Sequence, residues 1–412
     1  MYSDKSNILL LLPRFQSADA ENDYLSFNAE KISSFFSFSK TYYFYDAILN
    51  NGLSGAKKEI ESIITDNNIS IIFFMPFGSS FELSPYFFKE IKDKFSLKII
   101  LFILDDELIF DVFSKYYVQS ADAVITCDYY SYLQYEKYCV SAFYYFSSYS
   151  KNDFFPANDK KEYDVSFIGD SSKADRREYL DYLKNNGINV FEFGNNSKEG
   201  FVNKKTMAEI FSKTRINLNF TKVDSYKFPE SCKVWFNYDN KLCGNIRQNK
   251  GRPMEIGMTG AFCLSEYSPS MKYTFEPGNE IDFFYDKYDL LEKIKYYLNN
   301  ENEITRISGN MHMKAANNYA AEIFIPKMLN SLVISLNEKK NCEIKTIFLD
   351  LNFKIKTICQ LLFIFFSQIS GFKIKAAFNT FPDLFVFGIP VFCHAALRFI
   401  IRITARIINN FI

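Results

Sequence analysis

The densest group of residues able to do chemistry is Asn249-Lys-Gly-Arg-Pro-Met-Glu-Ile-Gly-Met-Thr-Gly260, which runs directly into the apolar stretch Ala261-Phe-Cys-Leu264 and then Ser265-Glu-Tyr267. It places two cations and a carboxylate within six residues. Fixed cations suit phosphate oxygens, and a carboxylate suits sugar hydroxyls, so Lys250, Arg252 and Glu255 form a set fitted to a nucleoside diphosphate. With Pro253 at a helix start, Glu255 falls in the first turn. The competing reading is an ordinary helix start with well-placed charges.

A second group is Tyr163-Asp-Val-Ser-Phe-Ile-Gly-Asp170 followed by Ser171-Ser-Lys-Ala-Asp-Arg-Arg177. This reads as strand, loop and helix start, where backbone N–H groups and the helix dipole favour an anion. Gly169 would let the backbone approach a phosphate, with Lys173 beside it. Alternatively Gly169 only turns the chain and the basic residues are a solvated helix face. A third candidate is Asp105-Asp106 after the apolar run Leu97–Leu104. Either aspartate is placed to serve as a general base, or both cap the next helix. With Glu107 they could also form an acidic metal cluster, but nothing else in the chain accompanies it, so no metal is expected.

These groups need a scaffold of strands that deliver loops to one edge. Short apolar runs recur at Ile8–Leu12, Ile69–Met75, Leu97–Leu104, Ala123–Thr126, Val165–Ile168, Val190–Phe193, Ile216–Phe220 and Ala261–Leu264, with helical stretches between them. Nearly continuous apolar runs of this length imply parallel strands covered on both faces. Amphipathic helices are predicted at Arg176–Asn185, Thr206–Lys213 and Tyr288–Leu298. The polar segment 149–162 is the predicted linker, giving domains at 1–155 and 156–338 and a tail at 339–412.

With 412 residues, 48 basic and 48 acidic, the chain can bury large cores but has no general positive field to gather nucleic acid. Its eight cysteines form no C-x-x-C pair, and only His312 and His394 could add imidazole, which argues against structural zinc and a Ser-His-Asp triad. The apolar opening Ile8–Leu12 is too short for a secretory core, so a cytoplasmic protein is expected.

Several separated motifs together resemble the CgeB-like (spore-maturation-type) glycosyltransferases of the GT-B superfamily. They are Asp105-Asp106, Ala121–Thr126, Tyr163–Gly169, Gly187–Gly194, Arg215–Phe220, Lys250–Glu255 through Gly260–Tyr267, Phe275–Ile281 and the helix Leu290–Leu298. The resemblance implies a GT-B fold, two doubly wound Rossmann-like domains with a donor cleft between them. It also implies sugar transfer from a nucleotide-sugar donor to a glycan or lipid-linked acceptor in cell-surface polysaccharide synthesis, without a cofactor. In this family's pattern Glu255 matches the second of two glutamates separated by seven residues and would hold the ribose, while the first position is occupied by Arg247. Lys250 and Arg252 would stabilise the departing diphosphate, with Gly169, Lys173, Arg247 and Glu266 completing the donor site. A nucleotide- or glycan-binding protein that kept the fold without the activity is the alternative that Arg247 permits.

The tail differs from the body: residues 344–412 carry 8 basic and 2 acidic side chains among many Phe, Ile and Leu. Arg398, Arg402 and Arg406 recur every four residues, a basic stripe suited to the anionic inner face of a cell membrane. The runs 357–371 and 384–397 fall short of the roughly 20 residues a span requires. Packing of the tail on the body or on a second subunit is the other reading.

Overall fold

The computed structural model describes residues 6–13, 24–76, 80–157, 160–173, 175–223, 246–338 and 347–411, with the side chains of 402 and 405–411 left aside. Two all-parallel sheets organise it. The first has strand order β2-β1-β3-β4-β5-β6, built from Asn7–Leu12 (β1), Phe38–Tyr43 (β2), Ile71–Phe74 (β3), Lys98–Ile103 (β4), Ala123–Thr126 (β5) and Ser141–Tyr144 (β6). The second has order β11-β10-β9-β7-β8, from Tyr163–Ile168 (β7), Val190–Phe193 (β8), Thr214–Asn219 (β9), Cys263–Glu266 (β10) and Asp282–Phe284 (β11). Each of the eight apolar runs of the sequence overlaps one of these strands, Ala261–Leu264 by its last two residues.

Alternate residues of each central strand face opposite layers. Leu9 and Leu11 join one core with Phe74 and Leu101, while Ile8 and Leu10 join the other with Phe73 and Phe102. The second sheet has two further cores, one around Met254, Cys263 and Phe283 and one around Val165, Leu218 and Leu264. Burial on both faces is why these strands lack polar alternation.

The three amphipathic helices are present as Arg176–Asn185, Lys204–Lys213 and Lys287–Leu298. In the last of these Leu290, Leu291 and Ile294 are buried as the spacing predicts. The polar segment after β6 carries the chain into the second sheet. Near the other end, after the bend at Ala320, the helix Ala321–Asn337 returns to the first sheet: Ile325, Leu329 and Leu332 pack with Ile8, Phe102 and Tyr145. The first domain is therefore closed by chain from both sides of the second, which a linear division at 156–338 does not express.

The tail also belongs to the first domain along one flank. Phe353, Ile358, Cys359 and Leu362 of the helix Leu351–Ser370 lie in the core with Phe81, Phe113 and Tyr117. That helix is long and apolar enough to cross a membrane by length and composition, a longer element than the 357–371 run suggests, yet 61% of its most apolar window is buried in the protein. Extracting it would strip the first domain of core.

Candidate functional site

In a sheet of order 2-1-3-4-5, ligands bind beyond the carboxyl ends of the strands on either side of the point where the order reverses. In the second sheet that point lies between β7 and β9. A cleft of about 500 Å³ opens there, lined by Gly169 after β7, Asn219 and Phe220 at the end of β9, and Lys250, Arg252 and Glu255. Such a volume is ordinary for a small-molecule site. Tyr24 and Phe27, from the first domain's helix Tyr24–Phe35, close it from the opposite side.

Gly169 is required by close approach. A Cβ there would stand 2.7 Å from the Phe167 ring, and one on Gly194, where φ is +108°, would stand 2.6 Å from the Gly169 carbonyl oxygen. The tips of β7 and β8 thus cross with no side chain between them, leaving the cleft floor open. The loop after Gly169 is less available to an anion than the sequence suggests. Asp170 accepts hydrogen bonds from the Ser172 backbone N–H at 2.9 Å, the Ser172 hydroxyl at 2.7 Å and Asn196 Nδ2 at 3.1 Å. Partial burial would raise the Asp170 carboxyl pKa, but these bonds outweigh it and hold the group below its usual range. Lys173 and Arg176 both line the cleft, Lys173 exposed.

The cationic loop is held by both domains. Arg247 pairs with Lys222 in an antiparallel bridge at the end of β9, and Gln248 N donates to the Thr221 carbonyl at 2.9 Å. Across the cleft, Gln248 Nε2 donates to Asp105 at 2.9 Å and Asn249 N donates to Glu107 at 2.9 Å, while Asn249 Nδ2 donates to the Cys127 carbonyl at 3.1 Å. The loop therefore docks on the ends of β4 and β5 before entering the helix Arg252–Met258. Lys250 bonds to Gln248, and Arg252 pairs with the Glu255 carboxylate one turn on. Glu255 is buried, and Tyr149 lies beside it.

Electrostatics at this loop are unresolved within the protein. Lys250 is partly accessible, yet enclosure by surrounding protein lowers its pKa, opposed by the charges of Asp105 and Glu107 and reinforced by Arg176 and Lys173. Burial raises Glu107, and the Asp105 and Asp128 charges raise it further. Lys173, Arg176, Lys250 and Arg252 all face the cleft, so an anionic ligand there would meet four cations, of which Arg252 is already paired with Glu255.

The remaining sequence candidates sit elsewhere. Asp106 is fully buried, accepting from Thr126 Oγ1 at 2.8 Å and Tyr135 OH at 2.9 Å, and desolvation pushes its pKa up to about 7. Asp105 is exposed at the end of β4 with φ +56°. Neither lines the cleft. Arg247 and Glu266 pair with each other behind it, Nε to Oε1 at 3.1 Å. Among the described residues no group of three His, Cys, Asp or Glu side chains could hold a metal. Tyr24, Phe27, Tyr149 and Arg176 were missed as site residues; only Arg176 carried a signal, its place in the basic run after Gly169.

Residues 153–323 match the family model described as Glycosyl transferase-like. Among solved structures, HepE from Anabaena, in complex with UDP and glucose, superposes with a TM-score of 0.55 at 10% identity, covering 80% of this chain and 100% of that one. The fold is that of the GT-B glycosyltransferases. Sucrose-phosphate synthase from Thermosynechococcus elongatus gives 0.54 at 11% identity over 81% of this chain and 99% of its own. A glycosyltransferase from Rickettsia africae gives 0.52 at 11% identity over 81% and 100%. No curated protein matches the chain significantly. The GT-B likeness extends over both sheets, whereas the sequence match is confined to the half that supplies Gly169, Lys250, Arg252 and Glu255.

Proposed function

We propose that this protein is a glycosyltransferase that binds a nucleotide-sugar donor in the cleft between its two sheets and passes the sugar to a glycan or lipid-linked acceptor. One observation carries the reading: at the switch point of the second sheet, within the stretch that matches the Glycosyl transferase-like model, Lys250, Arg252 and Glu255 converge on one cleft with Gly169. The UDP and UDP-glucose complexes of HepE support a donor of that class. The order of motifs supports a CgeB-like affiliation within it, and cell-surface polysaccharide synthesis as the setting.

In the transfer, the bond from the anomeric carbon to the diphosphate oxygen lengthens while the acceptor oxygen approaches, so the sugar gains oxocarbenium character and the diphosphate gains negative charge. Lys250 and Arg252 stabilise that charge. Glu255 accepts from the ribose hydroxyls once Arg252 turns toward phosphate. Neither Asp105 nor Asp106 lines the cleft, and Asp106 is wholly buried with its Oδ2 already bonded to Thr126 and Tyr135, so the proton released by the acceptor hydroxyl passes to the departing diphosphate or to water rather than to either aspartate.

A thermal-shift series with UDP, GDP, ADP and CMP and their sugar conjugates tests the reading. A nucleotide at a hundred times its dissociation constant should stabilise the protein by about 2.7 kcal/mol. Incubation with the best binder should then release its sugar to water or acceptor. Absence of stabilisation by every nucleotide would overturn the proposal; binding without any turnover would leave a nucleotide-binding protein.

A further inference from the structure

More than half of the exposed large hydrophobic side chains among the described residues lie between 348 and 403, a small fraction of the chain. Phe372 is 91% and Phe378 73% exposed, and Leu397, Ile400 and Ile401 continue the outer side of the last helix, Ile389–Phe411. Phe366, half exposed, stacks on Phe399 at 5.6 Å and joins the two long tail helices. Monomeric proteins seldom leave so much apolar surface in one region to water.

The charges around this surface are sorted by side. Both carboxylates among the described tail residues turn toward the body: Asp350 caps its own helix at Phe353 N and accepts from Tyr116 OH at 2.6 Å, and Asp383 pairs with Lys57 at 2.9 Å. Lys373 and Lys375 are exposed beside Phe372 and Phe378, Lys373 with its Nζ donating to Asn50 Oδ1 of the body at 2.6 Å, and Arg398 is partly exposed beside Leu397. Among the described residues the outer side is therefore apolar with a cationic border and no carboxylate of its own. A second copy meeting this face about a two-fold axis would bring lysines toward lysines. A bilayer with anionic headgroups accepts both features at once, the apolar tips entering the acyl boundary and the cations staying among phosphates.

We propose that the outer face of the tail docks on an anionic lipid surface, with its inner flank remaining part of the first domain's core. The protein then lies on the membrane as a body with a built-in apolar face. This arrangement is independent of the transfer reading.

Deleting the tail would expose core, so the test uses full-length protein with exposed-face variants. Co-sedimentation is measured with vesicles of phosphatidylcholine alone and of phosphatidylcholine with phosphatidylglycerol in equal parts. Wild type should sediment with the mixed vesicles, much less with the neutral ones, and added salt should weaken binding. The double variant Phe372→Gln, Phe378→Gln should lower partitioning about tenfold or more. Lys373→Gln with Lys375→Gln should lower it roughly five-fold per cation and flatten the salt dependence. Unchanged thermal unfolding confirms that both variants fold. Equal partitioning of wild type and the phenylalanine variant would overturn the proposal. So would failure of wild type to sediment with mixed vesicles, whether or not ultracentrifugation shows a dimer that the phenylalanine variant dissolves.

Discussion

Arg247 Nε lies 3.1 Å from Oε1 of Glu266, whose side chain is 1% exposed, and the other oxygen of that carboxylate accepts from the backbone N–H groups of Thr221 and Lys222, each at 2.8 Å. The pair thus ties the end of β10 to the end of β9 and to the strand-like arm that delivers Lys250 and Arg252. At the position where the GT-B pattern's first glutamate would stand, this chain has a cation committed to a buried carboxylate. Arg247→Ala leaves that carboxylate without its counter-charge, for which about 3–5 kcal/mol is the scale of a fully buried pair, reduced here by the partial exposure of Arg247. Denaturant unfolding should show a loss on the order of 2 kcal/mol. Arg247→Glu should lose more, since two carboxylates would face each other. A variant at 247 that keeps full stability would remove the brace.

Glu255→Gln should weaken nucleotide binding by roughly 1.5–3 kcal/mol, the scale of hydrogen bonds to a charged group. Calorimetric titration of the wild type and variant with the nucleotide found by thermal shift gives the difference directly. Removing the ribose 2′-hydroxyl from the ligand should abolish most of that difference, because the two changes delete one interaction. Additive losses would separate Glu255 from the ribose.

Lys250→Ala and Arg252→Ala should act on turnover more than on donor affinity, lowering kcat by about a hundredfold or more each, as expected for groups that meet charge developing in the transition state. Lys250 adds a pH dependence. Its pKa is depressed, so it is charged below that value and neutral above it, and kcat/KM should fall as pH rises through the depressed pKa of the free protein. In Lys250→Arg, which does not deprotonate in this range, the alkaline fall should disappear. An identical profile in that variant would assign the titration to another group.

The central strands and the cationic motif were legible in the sequence, and the reasons for the rest are local. The three strands without a sequence signal, Phe38–Tyr43, Ser141–Tyr144 and Asp282–Phe284, are all edge strands. Val190–Phe193 is an edge strand no better buried, but Phe38–Tyr43 is broken by Ser39, Lys40 and Thr41, Ser141–Tyr144 opens on serine, and Asp282–Phe284 is only three residues long, so none of the three shows the continuous apolar run that marked the other strands. Lys250, Arg252 and Glu255 could be grouped because one short stretch holds all three. Tyr24, Phe27 and Tyr149 reach the cleft from segments more than a hundred residues away in the chain, and an aromatic residue that lines a cleft is indistinguishable by type from one that fills a core. Asp106 shows the reverse: its place after a strand suggested chemistry, but its side chain turns inward to Thr126 and Tyr135. The triplet Arg398, Arg402 and Arg406 can be followed only at Arg398, the other two side chains lying outside the described residues.

Glu82 makes stability depend on pH. It is 2% exposed, neither carboxylate oxygen has a side-chain partner among the described residues, and burial, opposed by its own backbone N–H, raises its pKa to about 8. The unfolded chain releases this proton near the ordinary glutamate value, whereas the folded chain retains it. Between about pH 4.5 and 8 the native state binds more protons than the unfolded state, so this group makes stability decline as pH rises across that window. Glu82→Gln removes the ionisation and should be more stable than wild type at pH 9, by on the order of a few kcal/mol, with little difference at pH 4. Parallel unfolding curves at several pH values decide it: a constant offset between the two proteins would show that Glu82 titrates alike in the folded and unfolded chains.

The last prediction joins the cleft to the interdomain linker. Gly251 has φ −70°, a conformation open to any residue, so the need for glycine there is steric. A Cβ at this position would stand 2.2 Å from the Tyr149 hydroxyl oxygen and 3.2 Å from Ser147 Cβ. Gly251→Ala must therefore displace Tyr149, which lies beside Glu255, or shift the loop that carries Lys250 and Arg252. Nucleotide affinity should drop about tenfold or more, the result of moving cations and carboxylate off a common ligand. Tyr149→Phe deletes the clashing oxygen, so Gly251→Ala in that background should cost much less than in wild type. The double-mutant cycle measures this coupling, and a cost unchanged by Tyr149→Phe would trace the need for glycine to Ser147 instead.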